Sequence, residues 1–162
     1  MNSLLAKGDI PTTNTLIKSV LNGVSDETWT EFVHALSTQD LSTISDSNSY
    51  GCFEMRPRRL ADLGLMVELK RTKKGKREVY EGVFTTPLTK QKFLSNPIVQ
   101  YNAFASSIEK FDANLPDVLP KGLSRSGALA VLHRAGPSAL KAWERNKMPS
   151  TVAFLQRANK IF

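Results

Sequence analysis

Residues 25–36, SDETWTEFVHAL, leave the backbone little choice. Ser25 is a good N-cap, because its hydroxyl accepts from an amide that a first helical turn leaves unpaired. Asp26 and Glu27 put negative charge where a helix carries partial positive charge. Val24 and Trp29 are spaced for a hydrophobic staple across that start. Trp29, Phe32, Val33 and Leu36 recur at i, i+3, i+4 and i+7. A helix over about 25–39 therefore has one apolar face and must bury it.

The same periodicity runs through most of the chain. TTNTLIKSVLN (12–22) reads as a short helix stopped by Gly23, and DLSTISDSNSYG as a polar loop. Pro57 opens a short helix in PRRLADLG. Residues 65–84 alternate on both sides of a KKGK turn, which predicts a basic β-hairpin. Asn96-Pro97 starts a helix with Ile98, Tyr101, Phe104, Ala105, Ile108 and Phe111 inward. Ser124 caps another that carries Ala128, Val131, Leu132 and Ala135. Gly136-Pro137 breaks it and begins the next, with Leu140 and Trp143. Pro149 opens the last, with Val152, Leu155 and Ala158 inward. The expected fold is a mainly α single domain over 1–162 with one small β-hairpin at about 65–84.

A chain of 162 residues with 41% apolar content can bury a core, and no apolar run is long enough to span a bilayer. The start, MNSLLAKGDIP, lacks a charged region followed by an apolar one, so no signal peptide is expected. The single cysteine, Cys52, forms no internal disulfide and reads as a small buried residue. The net charge of +7 points to an anionic partner. Much of that excess lies in KRTKKGKR (70–77). With no aromatic residue interleaved, this run reads as a solvated turn, and nucleic acid is not the expected partner.

Two acids raise the question of chemistry. Asp40 follows the first helix, whose C-terminal end carries partial negative charge. An anion there is disfavoured, and burial would raise its pKa further. A carboxyl that stays protonated at neutral pH can act as a general acid. The simpler reading is a solvated acid heading a polar loop. Glu54 sits between Phe53 and Met55 in GCFEMRP. If that segment is buried, the carboxylate needs a partner or a proton. Arg56, Arg58 or Arg59 would supply a structural ion pair. Alternatively, Glu54 faces Asp40 across a cleft, as the paired acids that flank a glycosidic bond do.

At these residues the chain resembles the lysozyme-like lytic transglycosylases, and in particular a phage-encoded branch. GCFEMRPRRLADLG is similar to their G-x-M-Q-x-x-P segment, which follows a helix ending in a catalytic Glu-Ser. Asp40 falls at the glutamate position and Glu54 at the glutamine. SRSGALAVLHRAGPSALKAW resembles the S-G-L-L-A-A-A-H-L-G-G segment, with His133 at the histidine. FLSNPIVQYNAF matches F-L-x-N-P-x-x-Q before a long helix. The likeness covers roughly 30–145, in order.

The resemblance implies a lysozyme-like helical domain with a glycan groove. It implies cleavage of peptidoglycan strands by a carboxyl acting as acid and then base, with no metal or cofactor. Asp40 or Glu54 would be catalytic, and Tyr50, His133 and Arg134 would line the groove. The expected setting is the tail or baseplate of a phage particle, or delivery to the periplasm and cell wall, with tail or baseplate proteins as further partners and no membrane insertion. Two departures stand out: Asp40 in place of glutamate, with Leu41 rather than Ser after it, and Glu54 in place of glutamine. They allow a second reading, a catalytically inactive structural component of a tail hub.

Overall fold

The computed structural model describes residues 16–144 and 153–162. In chain order these form α1 (Asp26–Leu36), α2 (Pro57–Asp62), β1 (Met66–Lys74), β2 (Arg77–Phe84), α3 (Lys90–Leu94), α4 (Pro97–Ala113), α5 (Arg125–Ala135), α6 (Ala139–Glu144) and α7 (Ala153–Ala158). The fold is mainly α, and its sheet is the antiparallel pair β1–β2. Segments cluster into two compact units, residues 37–106 in one and residues 16–36 and 107–162 in the other.

Two local expectations need correction, and one helix is added. Residues 16–22 are not helical. The Ile17 N–H donates to the Thr30 hydroxyl at 2.8 Å, which pins the segment on α1 as non-helical chain. Residues 12–15 lie outside the described residues. α1 ends at Leu36 rather than near 39, because the Ser37 and Thr38 hydroxyls capture the next amides, those of Gln39 and Asp40, at 3.0 and 3.2 Å. α3 was not anticipated; Thr89 caps it by accepting from the Lys92 N–H. The last helix holds Leu155 and Ala158 as expected, whereas Pro149 and Val152 fall outside the described residues.

The unit of residues 37–106 is organised by aromatic stacking and one buried amide. Phe53 stacks on Phe104 at 4.2 Å between centroids, and Phe84 on Phe93 at 5.1 Å. Gln100 is 1% exposed. Its Oε1 accepts from the Cys52 N–H at 2.8 Å. Its Nε2 donates to the carbonyls of Leu41, at 3.0 Å, and Phe93, at 2.8 Å. One side chain thus ties the 40s loop, the Cys52 turn and α3 to α4. Gly51 lies against it with φ of 83°, and a Cβ there would meet Oε1 at 2.5 Å, so only glycine fits.

The other unit buries Leu123, Ala130, Val131, Ala139, Leu155 and Ala158 together. Trp29 and Phe32 of α1 are also fully buried, with Phe162 edge-on to Phe32 at 5.4 Å. Ser124 caps α5 as expected, accepting from the Gly127 N–H at 3.0 Å. The Asn159 carboxamide accepts from the Ser124 N–H at 2.7 Å and lies so close to Gly127 that a Cβ there has no room. Arg125 grips Asp112 with two bonds of 2.8 Å.

Gln100→Leu takes away the partner of the buried Cys52 N–H and that of the Leu41 carbonyl, while the Phe93 carbonyl keeps the Asn96 N–H. Each loss costs about 1–3 kcal/mol. The expected loss is roughly 2–4 kcal/mol after relaxation, read as a lower urea midpoint with an unchanged m-value.

Candidate functional site

The segment from Ser37 to Pro57 is a knot of short backbone bonds. Thr38 N–H donates to the Cys52 carbonyl at 2.7 Å, and Gly51 N–H to that of Thr43 at 2.8 Å. Tyr50 and Met55 exchange both backbone bonds at 2.9 Å, and Tyr50 also bridges Ile44. Between them the chain makes a tight turn, closed by Glu54 N–H to the Gly51 carbonyl at 3.0 Å. Glu54 takes a left-handed φ of 50° there. Cys52, Phe53 and Met55 go inward, at 0–1% exposure, while Glu54 stays half-exposed. The acid between two core residues is therefore the one position of the turn that faces out. A non-glycine residue held at positive φ stores strain, and such strain concentrates at functional sites.

Asp40 is differently placed. It is exposed and lies beyond the end of α1, so the helix-terminus reasoning does not reach it. Its Oδ1 accepts from the Ser42 N–H at 3.0 Å and the Ser42 hydroxyl at 2.8 Å, the pattern of an Asx turn. Tyr50 is half-buried with its ring edge-on to Phe84 at 5.4 Å. Burial, and then the charge of Glu81, raise its pKa. Of the nearby arginines, Arg59 pairs with Asp62 at 2.9 Å and Arg58 stacks on Tyr80.

Asp40, Tyr50 and Glu54 thus belong to the unit of residues 37–106. His133 and Arg134 belong to the other, in the last turn of α5. His133 is buried at 6% exposure, and Arg134 is exposed.

The unit of residues 37–106 also holds an open cleft of about 640 Å³, walled by Leu65, Thr85, Leu88, Lys92, Asn96 and Pro97 among others. Neither Asp40 nor Glu54 lines it. Sequence reasoning missed it because its walls come from the end of the hairpin and from α3, the helix that was not anticipated. Among the described residues no three His, Cys, Asp or Glu side chains gather as a metal site, and no helix is long and apolar enough to cross a membrane. Comparison with protein-family models, curated proteins and solved structures finds no match.

Cys52 is the buried residue its sequence context suggests. Burial pushes its thiol up to about 11, outweighing the Ser37 hydrogen bond and its own backbone, which act in the other direction; the charge of Asp40 adds to the rise. The thiol is expected to resist Ellman's reagent at pH 8 until the chain unfolds. The folded pKa lies above that of an unfolded cysteine. Its stabilising contribution is therefore complete below about pH 8 and lost as pH rises from about 9 to about 11. The check is a falling urea midpoint over that alkaline range, shallower in Cys52→Ala, where the raised pKa of Tyr50 still contributes.

Proposed function

We propose that this chain is a peptidoglycan-cleaving module of the lysozyme and lytic-transglycosylase type, carried by a phage or phage-like particle, with Glu54 as the acid. The observation that carries this reading is the Gly51–Met55 turn. It presents one carboxylate at its outward position and fixes the backbone from behind through Gln100 and the Tyr50–Met55 bonds. Catalysis requires such fixed placement, since a displacement of about 1 Å costs about 100-fold. The ordered resemblance over roughly 30–145 supplies the substrate: the β-1,4 bond of peptidoglycan strands.

In this mechanism the protonated Glu54 gives its proton to the glycosidic oxygen as the bond to the anomeric carbon breaks. The resulting carboxylate then takes a proton from the attacking hydroxyl, whether water or a hydroxyl of the sugar itself. A single acid serves both steps, so the mechanism does not depend on Asp40. Tyr50, tied to Met55 across the turn, is the candidate sugar contact from the same unit. Arg134 is exposed and would meet anionic groups of the wall. The expected location is the virion tail or baseplate, or the cell wall after delivery, with tail or baseplate proteins as further partners.

A second reading, an inactive structural component of a tail hub, is favoured by one observation. The residue nearest the family's catalytic glutamate is an exposed aspartate whose carboxylate is engaged by Ser42.

Turbidity loss of purified cell walls separates the two. The wild-type protein is expected to lyse walls. Glu54→Gln should lower the rate by at least about 100-fold, and Asp40→Asn by less than about threefold, within the range of a lost surface hydrogen bond. Folded wild-type protein with no activity on walls of several chemotypes would sink the enzymatic reading and leave the structural one.

A further inference from the structure

The run KRTKKGKR read as a solvated turn because no aromatic residue lies within it. The register of the hairpin changes that. Arg71 on β1 stands opposite Tyr80 on β2. The Arg71 guanidinium carbon lies 5.8 Å from the Tyr80 ring centroid, and that of Arg58, from α2, lies 5.1 Å from it. Both guanidinium groups also donate to the Tyr80 hydroxyl, Arg58 at 3.2 Å and Arg71 at 3.3 Å. The phenol oxygen accepts twice and keeps its own proton to donate. Lys70, Lys73, Lys74 and Lys76 lie on the same hairpin and are all exposed.

The hairpin carries some negative charge of its own, with Glu81 opposite Lys70 and Glu78 opposite Lys73. Glu78 lies 3.9 Å from Arg71, but the two side chains are 63% and 70% exposed, so the pair is worth little. Among the described residues no carboxylate lies within ion-pair distance of Arg58. Two cations held on one oxygen repel each other, and an oxyanion bridging them would remove that cost. The receptor is also held in place. Asn48 donates to the Tyr80 carbonyl at 3.1 Å and accepts from the Lys74 ammonium at 3.3 Å, which ties the hairpin to the loop beneath.

We propose that the Arg58–Tyr80–Arg71 cluster, with the lysines of the same hairpin, binds the phosphodiester backbone of single-stranded nucleic acid. Guanidinium forks match phosphate oxygens in pairs. The guanidinium groups are exposed, so the faces turned away from Tyr80 can carry unstacked bases, a contact for which an anionic sugar polymer of the wall has no aromatic ring. A pI of about 9.7, with six of the 22 Lys and Arg residues in 70–77, suits such binding.

The test is fluorescence anisotropy of a labelled oligothymidylate titrated with the full chain at several salt concentrations, with inorganic polyphosphate as the base-free probe. Affinity is expected to fall steeply with salt and to exceed that for polyphosphate of equal charge. The double variant Arg58→Ala/Arg71→Ala should bind at least about tenfold more weakly, with a salt slope shallower by about 1.4, or about 0.7 for each lost phosphate contact. Tyr80→Phe keeps the ring and loses only the hydroxyl, so it should fall between wild type and the double variant. Circular dichroism of each variant separates lost binding from lost folding. Equal affinity for polyphosphate would overturn the proposal in favour of a general polyanion surface. A folded double variant that binds like wild type would overturn the assignment to this cluster.

Discussion

The carboxamide of Gln100 holds together the part of the molecule where function is sought. A buried amide must find partners for its oxygen and its nitrogen, and here it finds three, all of them backbone groups from separate segments. Each is a group that a loop or a helix end would otherwise present to water. Burying them is possible only because the amide meets them, and the amide is tolerated only because they are there. Gly51 follows from this, since the chain passes so close to Oε1 that no side chain fits. The turn carrying Glu54 inherits its position from the same contact.

That turn explains an acid in an apolar setting without calling on a buried charge. Three side chains of GCFEM go inward, and the left-handed residue is the one that turns out. A glycine would relieve the backbone strain at position 54, yet a glutamate occupies it. This contrast is what makes Glu54 a better candidate for chemistry than Asp40. Asp40 sits in an ordinary Asx turn, doing what aspartates at the start of polar loops do.

The hairpin shows the same separation between composition and placement. Its charge is plain from the residues alone, and so is its turn. What it presents to a ligand depends on which residue of β2 lies opposite Arg71 and on α2 lying near enough for Arg58 to stack. Neither is a property of the run KRTKKGKR itself.

The sequence by itself determined the elements with strong local signals. The Ser25 cap and apolar stripe of α1, the Ser124 cap of α5, the Pro97 start of α4 and the alternation of the hairpin are written in residues a few positions apart, so they could be read directly. The sequence also read Cys52 as a buried residue, and the structure puts Phe53 and Met55 in the core beside it. Tertiary structure decided the rest. Residues 16–22 have the spacing of a helix but give their amide to Thr30, thirteen residues away. Past the end of α1 the Thr38 amide goes to the Cys52 carbonyl, fourteen residues on. The outward aim of Glu54 and the meeting of Arg58 with Tyr80 also depend on partners distant in the chain. Local patterning records which face of a segment is apolar, but not what that face, or the opposite one, will meet.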